Sequence, residues 1–140
     1  MMRHSIAAAL VLGAALAATS ASACAVHQPL DIRSALAADL VVVGQTGPYR
    51  TGRDGTEYFD VTVAEVLRGR AGRRVTVRHS NRMLGPLRSL PRRPVLIALR
   101  SEGGALTVLH HICSDAFLLD AGSARARATR RLLAGRRGER

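Results

Sequence analysis

The sequence predicts a mainly β domain, a small five-stranded barrel preceded by a short helix and followed by a longer one. Three observations point there. Five segments of the 140-residue chain carry strand patterning and are separated by Gly, Pro and Asp turn residues. The longest of them slips out of period-two alternation, the sequence mark of a β-bulge, and bulges bend strands enough for a sheet to close. The apolar fraction of 47% supplies one packed domain at this length and leaves no room for a second. Five antiparallel strands bury one face well only if the sheet curls, and the simplest closed solution at this size is an OB-like barrel.

Each element has its own signature. Leu30 to Asp39 reads as a short helix, with Asp31 as N-cap and Ile32, Ala35 and Leu36 on one face. Leu40-Val41-Val42-Val43-Gly44 is a continuous apolar run with three β-branched residues, which reads as a buried strand. Gln45 to Thr56 holds Gly47-Pro48, Gly52 and Asp54-Gly55 and reads as a loop or hairpin connection. In the long strand Tyr58 to Leu67, Phe59, Val61 and Val63 alternate with Asp60 and Thr62, but Val66 lies three places past Val63. Arg68 to Gly72 is a turn, and Arg74 to Arg78 is a strand with clean alternation. Ser80 to Pro94 is an irregular basic loop carrying Arg82, Arg88, Arg92 and Arg93. Val95 to Leu99 reads as a second buried strand, Glu102-Gly103-Gly104 as a hairpin turn and Leu106 to Cys113 as the fifth strand. Asp120 to Ala134 reads as a helix, capped by Ser123, ended by Gly135 and repeating Ala124, Ala128 and Leu132 at i+4. Residues 135–140 are expected to be a disordered tail.

The first residues stand apart from this domain. A short basic start at Arg3 precedes a 13-residue uncharged apolar run from Ile6 to Ala18, and Ala21-Ser22-Ala23 is an A-x-A cleavage site. Residues 1–23 therefore read as a secretory signal peptide. The run is too short for a permanent membrane helix, which needs about 20 residues. Cleavage leaves a mature chain beginning at Cys24, whose domain spans 24–134.

Export gives meaning to the two cysteines, Cys24 and Cys113, because disulfides persist outside the cytoplasm. One internal bridge would close a loop of 90 residues and add at most about 4–5 kcal/mol in the chain-entropy picture. A second reading uses the same residue: Ala21-Ser22-Ala23-Cys24 partly fits a lipoprotein cleavage box, with Ala21 where Leu is usual. Acylation and bridging exclude each other.

Several motifs taken together resemble a known family. Cys24 at the mature start, Ala38-Asp39-Leu40-Val41-Val42-Val43-Gly44, the spacing Tyr58, Val61, Val63, Val66, Leu67 and Gly69, then Val75-x-Val77 and a distal Cys113 are similar to the netrin/TIMP-like domains, chiefly their short bacterial secreted relatives. The resemblance covers roughly Cys24 to Leu119. It implies an OB-fold barrel whose N-terminal segment is tied to the sheet by a disulfide. The metalloproteinase inhibitors of that family open with Cys-x-Cys and chelate the protease zinc through the first cysteine's amine and carbonyl. Here Ala25 and Val26 follow Cys24, so the second ridge cysteine is missing.

Composition limits the function classes. Aromatics are only 3% with no Trp, which disfavours readers of single-stranded nucleic acid and sugar-stacking modules. His79, Ser80 and Asp115 name a Ser/His/Asp set but no nucleophile elbow, so no enzyme is expected. Cys24, His27, His110, His111 and Cys113 are the only clustered soft ligands, and neighbouring His110 and His111 would point to opposite faces of a strand, so no metal or other cofactor is expected. The formal charge is +11 and every basic residue is Arg, a pattern that genome composition also produces. Arg125, Arg127, Arg130 and Arg131 on the final helix, extended by Arg136 and Arg137, form the candidate surface for an anionic partner. The expected protein is a periplasmic or secreted, non-enzymatic binding domain of the cell envelope, its partner an envelope protein or an anionic surface. No nucleic acid and no transmembrane helix after signal cleavage are expected. Two alternatives are a lipid-anchored envelope protein of the same fold and an inhibitor of a secreted metalloprotease acting through the Cys24 amino terminus.

Overall fold

A computed structural model of the chain describes residues 28–79, 90–111 and 114–137. The signal-peptide expectation, the tail beyond 137, most of the basic loop and both cysteines of the expected bridge lie outside the described residues.

The strands are β1 (Leu40–Thr46), β2 (Arg50–Thr51), β3 (Glu57–Arg68), β4 (Arg74–His79), β5 (Val95–Glu102), β6 (Ala105–Val108) and β7 (Leu118–Asp120). Five of them form a ring in the order β1-β3-β4-β6-β5, and β5 pairs back onto β1 to close it. The β4–β6 pairing is parallel and the other four are antiparallel. This is a closed mixed barrel of OB-like type. The expected five strands are the five of the ring. β2 and β7 are additions that pair with β3 and β5 from outside it. Both are too short to show a period in sequence.

The barrel is filled from alternate positions of its strands. Leu40 and Val42, Phe59 and Val61, Val75 and Val77, Ile97 and Leu99, and Val108 meet inside. A second core lies on the outer side of β1 and β5. There Val41, Val43, Leu96 and Ala98 pack against Leu67, Leu109, Phe117 and the two helical segments. The continuous apolar runs of β1 and β5 follow from this arrangement, because both faces of these strands are covered. One phenylalanine anchors each core, Phe59 inside and Phe117 outside, and burying each stabilises the fold by about 1.5–3 kcal/mol.

The register of β3 against β1 shifts twice. Val43 pairs with Glu65 and Gly44 with Val63, which leaves Ala64 as an extra residue, and Leu67 is a second one between the Val42–Val66 and Val41–Arg68 pairs. The first shift is the slip between Val63 and Val66 seen in sequence. The second turns Leu67 outward, where it joins the outer core.

The N-terminal helix is a single 3₁₀ segment, Ile32–Ala37. Asp31 caps it as expected, its carboxylate accepting the Arg33 N–H at 2.9 Å. The C-terminal helix α1 spans Ala124–Arg137. Ser123 caps it, its hydroxyl accepting the Ala126 N–H at 3.1 Å. Two details differ from expectation. Gly135 does not end α1, because the good helix formers Arg136 and Arg137 continue it. The inward face is Ala126, Thr129 and Leu133, while Ala124 is exposed. Thr129 can be buried because its hydroxyl donates to the Arg125 carbonyl at 2.9 Å within the helix. The fifth strand is also shorter than expected, ending at Val108, so His110 and His111 follow it in irregular backbone.

Candidate functional site

The four helix arginines divide into two pairs. Arg125 donates to the Leu30 carbonyl, tying α1 to the segment before the 3₁₀ helix. Arg130 forms an ion pair with Glu65, the residue beside the first bulge of β3. Both therefore have structural partners. Arg127 and Arg131 lie on the outer face of α1, one turn apart and exposed. Arg127 reaches back to the Gly122 carbonyl, and neither residue has an acidic partner among the described residues. α1 itself contains no acidic residue. In the basic loop, Arg92 and Arg93 are exposed, and Arg93 stands 3.8 Å from Asp120.

At one mouth of the barrel, Tyr49 packs its ring edge-on against Phe59 at 5.6 Å and lies 6.4 Å from the His79 ring. Burial, reinforced by the nearby Glu57 carboxylate, pushes the Tyr49 phenol up to about 12. Its hydroxyl is enclosed without a hydrogen-bond partner among the described residues. Beside it a recess of about 470 Å³ runs between Gln45–Tyr49 and Leu90–Arg92. Gln45 and Thr46 span this recess, donating to the Arg92 and Pro91 carbonyls at 2.8 and 3.0 Å. Nearby, the turn between β2 and β3 is held by Asp54. Its carboxylate accepts the Thr56 hydroxyl at 2.8 Å and N–H at 3.0 Å, and these bonds hold its pKa below the usual carboxylate range.

At the opposite end of the barrel a larger cleft of about 630 Å³ opens where the end of β3 and the last turn of α1 diverge. Val66, Leu67 and Leu133 line it, with Arg68, Arg136 and Asp39 among its polar residues. Arg68 donates through Nε to the Ala38 carbonyl at 2.6 Å, and Asp39 accepts the Ser101 N–H at 2.8 Å. Gly69 forms one wall with φ +79°, and a Cβ there would stand 2.4 Å from the Asp39 carbonyl oxygen. Only glycine lets the chain turn and close on Asp39 at this point.

Of the Ser/His/Asp set, His79 is buried in the barrel, Asp115 is exposed with its N–H donating to the Gln28 carbonyl, and Ser80 lies outside the described residues. His110 accepts or donates through Nδ1 at the Val108 carbonyl, and His111 is exposed. Among the described residues no three His, Cys, Asp or Glu side chains gather closely enough to hold a metal ion. None of their helices is long and apolar enough to cross a membrane. Gln28 makes a parallel bridge with Ser114, which places the chain just after Cys24 beside the chain just after Cys113. Sequence reasoning missed Tyr49 and the cleft. The cleft assembles residues 39, 68 and 136 from three distant segments, and a lone Tyr between turn residues carries no pattern. No protein-family model matches the chain, and no curated protein matches its sequence.

Proposed function

We propose that this chain is an exported binding domain of the cell envelope, netrin/TIMP-like in type, that docks on an anionic surface through the outer face of α1. The observation that carries the reading is the Arg127–Arg131 pair. These cations stand one turn apart on an exposed face with no carboxylate to neutralise them. Like charges at this spacing cost a helix about 0.2–0.5 kcal/mol, so stability does not account for them. The Gln28–Ser114 bridge supports the netrin/TIMP-like assignment, since a Cys24–Cys113 disulfide would complete the attachment that the bridge begins.

The test compares two double variants with the same change in net charge. Arg127→Gln/Arg131→Gln should leave the fold intact, since Arg and Gln have similar helix propensity. At about 1 kcal/mol per arginine near an anionic membrane, it should weaken binding to phosphatidylglycerol-containing vesicles about 30-fold at low salt. Arg125→Gln/Arg130→Gln removes partnered arginines and should weaken binding far less. Equal effects from the two pairs would mean that net charge, and not this face, binds the surface.

A further inference from the structure

The cleft between β3 and α1 combines features that the outer face of α1 lacks. Its apolar lining comes from Val66, Leu67 and Leu133, the last two also members of the outer core. At about 630 Å³ it falls within the ordinary range of small-molecule sites, roughly 300–1,000 Å³. Two guanidinium groups border it, Arg68 from the end of β3 and Arg136 from the last turn of α1. The bond from Nε to the Ala38 carbonyl fixes the Arg68 plane and leaves its two terminal nitrogens as a fork. Neither arginine has an ion-pair partner among the described residues. The one carboxylate in the lining, Asp39, already accepts the Ser101 N–H. Two cations and one anion leave the cleft with a charge of +1.

A dry lining beside a single net positive charge suits a ligand that is apolar along its length and singly anionic at its end. We propose that this cleft binds a single-chain amphiphile with a carboxylate head. The aliphatic chain lies on Val66, Leu67 and Leu133, and the carboxylate sits between Arg68 and Arg136. Inorganic phosphate would leave the apolar lining uncovered, and a cationic detergent would meet two guanidinium groups. This site is separate from the Arg127–Arg131 face, so it stands or falls independently of surface docking.

Calorimetric titration of the full exported chain with dodecanoate, below its micelle-forming concentration, tests the proposal. Saturable one-to-one binding is expected, with the methyl resonances of Val66, Leu67 and Leu133 shifting together. Dodecyltrimethylammonium and acetate, which keep only the tail or only the head, should each bind at least about tenfold more weakly. Loss of one charged hydrogen bond in Arg136→Gln should weaken dodecanoate binding about tenfold or more. Arg136 is exposed, so that variant should fold. Arg68→Lys keeps the charge but loses the fork, and it should also bind less tightly. Equal affinity for the cationic detergent, or an Arg136→Gln variant that binds like the parent, would overturn the proposal. So would binding seen only when the carboxylate is embedded in vesicles and abolished by Arg127→Gln/Arg131→Gln, an outcome that leaves the surface-docking reading intact.

Discussion

Gly44→Ala should destabilise the barrel, although an alanine in a strand ordinarily replaces glycine with profit. Gly44 lies in β1 where the register against β3 shifts, paired with Val63 on one side and Val95 on the other. A Cβ added there would stand 2.3 Å from the Thr62 carbonyl oxygen and 2.9 Å from Val61 Cγ1. Ordinary contact begins at 3.4 Å, so the backbone of β3 would have to retreat by about 1.1 Å. It has nowhere to go, because Val61 and Thr62 are held on their far side by Val75 and Arg74 of β4. Overpacking against backbone costs about 3 kcal/mol, the upper end of the usual range. The narrower unfolded ensemble of alanine returns about 0.4–1 kcal/mol. The net loss of about 2 kcal/mol should lower the thermal midpoint by about 8 °C for a domain of this size. Gly72→Ala is the control, since a Cβ there meets nothing within 4 Å and the site has no positive φ. It should melt at or slightly above the parent. Circular dichroism melts of the two variants decide the matter. A Gly44→Ala protein as stable as its parent would show that β1 and β3 do not approach as closely as described.

Alkaline titration should find one late tyrosine. With the Tyr49 phenol pushed up to about 12, chiefly by burial, the fold favours its protonated form. That contribution to stability is fully present below the ordinary tyrosine value of about 10 and is lost as pH rises from there through about 12. In a Tyr58→Phe background, phenolate absorbance should therefore rise near pH 12 in folded protein and near 10 after unfolding. An unshifted rise in folded protein would place Tyr49 in water. The bridge is checked by mass: exported, oxidised protein should begin at Cys24 and weigh two hydrogens less than its dithiol. Cys113→Ser should then lower stability by about 2–5 kcal/mol, and a native chain with two titratable thiols would contradict the pairing.

The strands that could be read in sequence are those whose surroundings are uniform along their length. β4 has one wet and one dry face, and its alternation is plain in Arg74 to Arg78. β1 and β5 are dry on both sides, and their unbroken apolar runs say so. The bulge at Ala64 was legible because it displaces Val66 by one position. What could not be read depends on partners remote in the chain. The two-residue strand β2 exists only because β3 lies beside it. The inward face of α1 passes through Thr129, a polar residue whose hydroxyl is satisfied by its own helix, so the apolar repeat through Ala124 misplaces it. The same limit governs the sites. Arginines on one helix are visible as a cluster, but their division into partnered and exposed pairs depends on Glu65 and Leu30, which lie far upstream.

The sharing of β1 and β5 between two cores has a kinetic meaning. Val41 and Val42 are neighbours in the chain, yet one belongs to the outer core and the other to the barrel. Neither core can open without stripping one side of the same two strands, so local opening of α1 and global opening of the barrel are coupled events. β1 and β5 also pair across more than fifty residues of intervening chain. The contact that joins the two cores is thus among the most expensive in loop entropy and forms late in folding. Once made, it is the last to be released, and the amides of Val41 to Val43 and Leu96 to Ala98 mark the slowest-exchanging centre of the molecule.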